Sequence, residues 1–259
     1  MNNLVALVWN SFRPPPIEMI YGFVLLFLLF FIMISWYLIQ KRKARKSFDL
    51  LHSQYQFQTI QNIPEDIHQA IQYVIKSYFQ ISSGVTVSNI CSRGKDKDVL
   101  YLFDITYTMR RLNRLRHRSG RYRTTWYMER VIAIPLSSDV KEPFFIGKLV
   151  NKYSRGFEKL LSMVHTFAPV TTGDSNLDDT YSLLINKDSS TDTVAIPFVL
   201  QIKPLLDKYL MNIPKKPVGQ TTYLCILCFT EDYCFLRFDR FNTAIENFYH
   251  LAQELRDTQ

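Results

Sequence analysis

Glycine is scarce in this chain, 8 of 259 residues, and it forms neither a G-x-G-x-x-G turn nor a P-loop. Dinucleotide binding and phosphate cradling by backbone amides therefore have no motif to rest on. With 11 prolines beside so few glycines, collagen-like and low-complexity chains are excluded. No G-x-S-x-G elbow and no H-E-x-x-H pair occurs, so serine hydrolase and zincin chemistry lack their usual sequence marks. The five histidines, His52, His68, His117, His165 and His250, are far apart in sequence and suit ordinary solvent or interface positions.

Cysteine is equally sparing: Cys91, Cys225, Cys228 and Cys234. Cys225-x-x-Cys228 invites a zinc reading, with Cys234 as a third sulfur, but a structural zinc site needs four converging ligands. If Glu231-Asp232 is a hairpin turn, Phe229 faces Cys234, Cys228 faces Phe235 and Cys225 faces Phe238. Alternation then sends Cys225 and Cys228 to opposite sides of the sheet. Buried thiols are the expectation, with no metal and no cofactor. The acidic pairs Glu65-Asp66, Asp178-Asp179 and Glu231-Asp232 fall at a helix start, a loop and a turn, and each has a structural reason to be there.

Apolar residues, by contrast, are abundant: 47% of the chain is hydrophobic and 14% aromatic, enough for a sizeable core. They concentrate in residues 20–39, IYGFVLLFLLFFIMISWYLI, an uncharged run long enough at about 1.5 Å per residue to cross a bilayer's hydrocarbon core. Tyr21 near one end, and Trp36 and Tyr37 near the other, suit the headgroup level. The run exceeds a signal-peptide apolar region, and its basic cluster lies after it rather than before. That cluster is Lys41, Arg42, Lys43, Arg45 and Lys46, against only Arg13 and Glu18 on the other side. The excess of Lys and Arg sets the C-terminal side as cytoplasmic and the N-terminus as external.

The net charge of +8 is unevenly spread. Residues 40–123 carry 16 Lys and Arg against 6 Asp and Glu, whereas residues 124–259 carry 14 against 16. The basic half thus adjoins the span directly, where anionic lipid headgroups attract it. Its densest stretch holds seven arginines, Arg110, Arg111, Arg114, Arg116, Arg118, Arg121 and Arg123, on a connection between two strands. Arginine suits bidentate phosphate contact, so lipid, nucleic acid or a phosphorylated partner all fit this loop, as does a plain solvated hairpin tip.

Beyond the span, the organisation reads as a tail (1–19), a transmembrane helix (20–39), a basic stalk (40–60) and one α+β domain (61–259). Pro64 and the acids after it start a helix to about residue 80, with Ile67, Ile71, Val74 and Ile75 on one stripe. The period then changes to two, predicting strands over 85–90, 99–108 and 122–134 in an antiparallel meander. Val99, Tyr101, Phe103, Ile105 and Tyr107 share one face of the middle strand and Asp104 falls on the other. A strand over 143–150 and a helix over 153–164 come next. Residues 171–193 read as surface loop around one strand, 181–185. A helix over 198–210, a hairpin about Glu231-Asp232 and an amphipathic helix over 241–255 complete the fold: α+β, an antiparallel sheet with packed amphipathic helices.

The strand Val99-Leu100-Tyr101-Leu102-Phe103-Asp104-Ile105-Thr106-Tyr107, with the returning Arg121-Tyr122-Arg123-Thr124-Thr125-Trp126, resembles a pairing found in a group of uncharacterised bacterial single-pass inner-membrane proteins. Those proteins carry an LFDYxYT-like strand and an R-x-x-R-Q-T-V-like return, from which the return here departs. The resemblance implies a bacterial inner membrane location and supplies no catalytic residues. Together these features predict a non-enzymatic membrane protein whose cytoplasmic domain binds a protein partner, an accessory subunit of an envelope or secretion assembly. The alternatives are a membrane-tethered hydrolase with a dispersed site around His165 or His250, and a phosphate or nucleic-acid contact through the arginine loop.

Overall fold

In a computed structural model, the residues described are 17–79, 84–94, 99–112, 122–136, 143–149, 167–187, 192–211, 213, 223–240 and 244–258. The chain divides into two units, Met1–Lys46 and Ser47–Gln259.

The first unit is dominated by helix α1 (Ile17–Tyr55), which runs on past Lys46 into the second. Within it, Tyr21–Lys43 is long and apolar enough to cross a membrane, the one such helix among the described residues. At 23 residues it measures about 35 Å. Its large apolar side chains stand exposed, Trp36 and Phe27 among them, as do Lys41, Arg42, Lys43, Arg45 and Lys46.

The second unit is built on one nine-stranded antiparallel sheet. In chain order its elements are β1 (Gln58–Thr59), α2 (Glu65–Phe79), β2 (Thr86–Arg93), β3 (Leu100–Leu112), β4 (Tyr122–Pro135), β5 (Phe144–Leu149), β6 (Phe167–Val170), α3 (Ser175–Thr180), β7 (Tyr181–Asn186), α4 (Asp192–Leu210), β8 (Tyr223–Phe229), β9 (Tyr233–Asp239) and α5 (Ile245–Asp257). Across the sheet the order is β1-β2-β3-β4-β9-β8-β5-β7-β6. The meander β2-β3-β4 and the group β5-β7-β6 are therefore not neighbours. The last hairpin, β8-β9, lies between them and joins the two halves.

Helices cover both faces, which is why the strands read as nearly unbroken apolar runs. On one face Leu102, Ile132, Leu236 and Leu227 pack under α4 (Ala195, Val199, Ile202, Leu206), α5 (Phe248, Leu251, Leu255) and the end of α1 (Phe48, Tyr55). On the other, Phe103, Ile105, Val131 and Phe235 lie under α2, whose Ile67, Ile71, Val74 and Ile75 are fully buried. Both sheet edges are short: β1 has two residues, and β6 carries Pro169, which cannot extend a ladder.

The α+β architecture, the meander and the closing helix agree with the sequence pattern. The β8-β9 register is the anticipated one, with Phe229 opposite Cys234, Cys228 opposite Phe235 and Cys225 opposite Phe238. Residues 171–193 hold more structure than a loop about a strand. Asp174 caps α3, its carboxylate accepting from the Leu177 N–H at 3.0 Å, and β7 lies inside the sheet between β5 and β6. This stretch reads as loop because the hydroxyl and carboxylate side chains that favour turns also cap helices. Helix α4 begins at Asp192, ahead of the expected 198, and the expected helix over 153–164 lies outside the described residues.

Candidate functional site

Charged residues interrupt the apolar alternation of three neighbouring central strands: Asp104 on β3, Glu129 and Arg130 on β4, and Arg237 on β9. All four are buried, Asp104 and Arg237 each to 1% exposure. Because successive residues alternate faces, Glu129 and Arg130 send their side chains to opposite sides and seed two separate clusters.

On the face covered by α1, Asp104 and Arg130 are directly paired across the β3-β4 ladder. Arg130 Nε donates to Asp104 Oδ1 at 2.8 Å, and Arg130 Nη2 to Oδ2 at 3.4 Å. Asn89 Nδ2 donates to Oδ2 at 2.7 Å, and Arg240 Nε lies 3.1 Å from the same oxygen. Asn89 reaches this position through a β-bulge. Ser88 pairs with Asp104 and Cys91 with Leu102, so Asn89 and Ile90 together oppose Phe103, and Asn89 adopts the left-handed conformation (φ 53°). Asparagine accepts that conformation better than most residues. Arg130 Nη1 has no hydrogen-bond partner among the described residues. The guanidinium carbon sits 4.4 Å from the centre of the Phe48 ring, an arrangement in which the π face takes up the charge. The last turns of α1 are thereby fixed to the sheet.

On the opposite face the cluster spans the seam between the meander and the closing hairpin. Arg237 donates to Glu129 Oε2 from Nε at 3.0 Å and from Nη2 at 2.5 Å. Tyr107 donates its hydroxyl to Glu129 Oε1 at 3.0 Å and accepts from Arg237 Nη2 at 3.1 Å. Arg237 Nη1 reaches Cys228 Sγ at 3.9 Å, and the Tyr127 ring stacks on Tyr107 with centroids 5.4 Å apart. Burial alone would depress the Arg237 guanidinium, but the charge and hydrogen bonds of Glu129 hold it above its ordinary value. Burial, then the Glu129 charge, pushes the Tyr107 hydroxyl well up, and burial raises the Cys228 thiol to about 12. Tyrosine and thiol both stay protonated, so Cys228 is no nucleophile at neutral pH. In both clusters the charged atoms are tied to each other inside the protein, an arrangement that braces strands.

Elsewhere, Tyr55 OH and His250 Nε2 are 3.1 Å apart, with Tyr209 and Tyr249 rings around the imidazole. Lys208 and Tyr209 of α4 both reach Glu254 of α5. His68 lies against Glu65 and Gln72 on α2, and His52 against Thr59; His117 and His165 are outside the described residues. Cys91, Cys228 and Cys234 are free and buried, and no grouping of His, Cys, Asp or Glu among the described residues is placed to hold a metal. Of the seven arginines of the loop, Arg110, Arg111 and Arg123 occupy ladder positions of β3 and β4, Arg111 opposite Arg123. Arg114, Arg116, Arg118 and Arg121 are outside the described residues.

Comparison with known proteins gives no match: no family model, no curated protein and no solved structure corresponds significantly to this chain.

Glu129, Arg130, Arg237 and Asn89 do not stand out in the sequence as site residues. Their signal is a charge inside an apolar strand, in Met128-Glu129-Arg130-Val131 and Phe235-Leu236-Arg237-Phe238. It becomes informative only once both faces of those strands are known to be covered, because a strand with one solvated face carries charges freely.

Proposed function

We propose that this chain is a single-pass protein of a bacterial inner membrane that holds its Ser47–Gln259 unit in the cytoplasm and there presents it to a protein partner, as an accessory subunit of an envelope or secretion assembly. The observation that carries this reading is the combination of the Tyr21–Lys43 helix with a domain whose interior charges brace its own sheet. The basic residues Lys41, Arg42, Lys43, Arg45 and Lys46 beside that helix favour the cytoplasmic side for the Ser47–Gln259 unit, and the resemblance of the strand over 99–107 to that of the bacterial inner-membrane group is in keeping with the same location. Fixing Phe48 and Tyr55 into the core makes the start of the domain a firm attachment point, which suits a protein that acts by positioning.

The test is cross-linking in intact cells, then purification of the full chain in mild detergent. The proposal expects one protein species joined to it in constant ratio, retained when the span is replaced by an unrelated span of equal length with the basic residues kept. Recovery of the chain alone at every cross-linker concentration contradicts it. Turnover of a hydrolysable substrate by the purified chain, lost on His250→Ala, would instead establish the tethered hydrolase.

A further inference from the structure

The β3-β4 ladder continues where its neighbours stop. On the β2 side pairing ends at Thr86 with Thr106, and on the β9 side it ends at Asp239 with Glu129. Beyond these, β3 and β4 stay paired from Tyr107 with Tyr127 out to Leu112 with Tyr122. This is a two-stranded extension of roughly 17 Å, flanked by no other strand among the described residues. Its base is buried, with Tyr107, Thr108 and Tyr127 at 1%, 7% and 8% exposure, and the arm proper runs from Met109 with Thr125 to Leu112 with Tyr122. Two-stranded ribbons are marginal alone and their open edges invite association, so an arm of this length needs a surface to rest on.

Its composition says which surface. At its base Trp126, opposite Thr108, is 69% exposed. Met128, two residues further along β4 on the same side and just inside the arm's start, opposite Thr106, is 39% exposed, with Arg240 Nη1 3.8 Å from its Sδ. Arg110, Arg111 and Arg123 are built into the same arm. Arg110 holds a register position on the Trp126 face, and Arg111 and Arg123, paired together, hold positions on the other. An exposed tryptophan on so basic a ribbon is the composition of a membrane-interface element, since the indole favours the headgroup level and guanidinium is drawn to lipid phosphate.

The position of the arm agrees. The Tyr55 ring lies 4.3 Å from Tyr249, with Arg93 over it, and Arg93 pairs with Leu100. Phe48 lies over Arg130, which pairs with Asp104. Going back along the chain from Tyr55 to Phe48, the helix climbs about 10 Å while the sheet climbs from the Leu100 level to the Asp104 level, about 13 Å. That direction leads to the arm. The chain therefore enters the Ser47–Gln259 unit at the end from which the arm projects, and Ser47 lies four residues of sequence beyond the apolar helix segment ending at Lys43.

We infer that the β3-β4 arm docks on the anionic lipid surface of the membrane that the chain spans, with Trp126 and Met128 at headgroup depth and the arm's arginines on lipid phosphates. The inference rests on the single-span reading above. It assigns Arg110, Arg111 and Arg123 of the arm to lipid rather than to nucleic acid.

The test uses the full chain with Trp9→Phe and Trp36→Phe, which leaves Trp126 as the one tryptophan of the original three, reconstituted in nanodiscs. In discs containing phosphatidylglycerol, Trp126 emission should shift to the blue, be quenched by lipids brominated near the headgroup, and resist acrylamide. In pure phosphatidylcholine discs it should remain open to acrylamide, and added salt should move the first state toward the second. Replacing Arg110, Arg111 and Arg123 together by Ser should lower the docked-to-free ratio by roughly a hundredfold, about fivefold for each arginine. The thermal midpoint of that variant should match the parent, since its three sites lie outside the pairing with β2 and β9. If it fails to fold, the comparison of the two lipids with the parent arginines still decides. Equal acrylamide access in both discs, with the chain still in the bilayer, overturns the inference. So does protection of Trp126 by single-stranded RNA in place of anionic lipid. Loss of the chain from the discs instead overturns the single-span reading itself.

Discussion

Glu129→Gln tests what the buried ion pair contributes at the seam between the meander and the closing hairpin. The substitution keeps the shape of the side chain and removes its charge. Arg237, with 1% of its side chain exposed, is then left as a buried cation whose counter-charge is gone, and Tyr107 loses a carboxylate acceptor. Breaking one partner of a buried pair costs about 3–5 kcal/mol, far more than the pair would be worth at the surface. Against a total stability of about 5–15 kcal/mol this is a large share. For a unit of this size the thermal midpoint should fall by roughly 6–20 °C. The assay is thermal unfolding of the full chain in detergent micelles, monitored by near-ultraviolet circular dichroism so that the signal comes from packed aromatic rings. A companion variant with Glu129→Leu, Arg237→Met and Tyr107→Phe removes the whole cluster and should recover most of the loss, because no charge remains stranded. A Glu129→Gln midpoint within about 3 °C of the parent, the equivalent of about 1 kcal/mol, or a companion variant no better than the single one, would refute the reasoning.

Asn89 separates conformation from hydrogen bonding. Asn89→Gly keeps the left-handed backbone and loses the bond to Asp104, costing about 1.5–3 kcal/mol, whereas Asn89→Ala should cost about 1 kcal/mol more, and an inverted order in urea unfolding would contradict the bulge assignment. Stability should also fall with rising pH. Burial raises the Cys228, Cys234 and Tyr107 groups, and burial with the Asp66 hydrogen bond raises Tyr233, so the native state keeps protons that the unfolded chain has released. The loss should start above the ordinary thiol value of about 8.5 and, for Cys228, continue to about 12. A urea midpoint that is flat or rising over that range would contradict these protonation states. Finally, Phe48→Leu should cost about 0.5–2 kcal/mol beyond its lost volume, and the cost should largely vanish when Arg130 is already Met.

Much of this fold can be read from residue order. The stripe Ile67, Ile71, Val74 and Ile75 defines the buried face of α2, and the alternation through Phe103, Ile105 and Tyr107 defines one face of β3. Even the pairing of Cys228 with Phe235 comes from placing the turn at Glu231-Asp232. These features are local: a period and a turn determine them. What a single strand does not reveal is its non-sequential neighbour. That β9 lies against β4, and so brings Arg237 to Glu129 across 108 positions, depends on long-range assembly. The same holds for the bulge that turns Asn89 toward Asp104. β6 is hard to see in the sequence because its four residues include Pro169, which lowers strand propensity and is tolerated only because β6 is an edge. The arginine stretch is visible as composition, but its attachment to a ribbon that outruns both neighbouring strands is not.

The central claim is that Tyr21–Lys43 spans a membrane with the Ser47–Gln259 unit on the side of the basic residues. Single cysteines placed at Asn2 and at Gln259, in a chain with Cys91, Cys225, Cys228 and Cys234 replaced by Ala, test it with a membrane-impermeant maleimide. The account predicts labelling of Asn2→Cys in intact cells and of Gln259→Cys only after the inner membrane is opened. The reverse pattern, or labelling of both without opening it, would contradict the account.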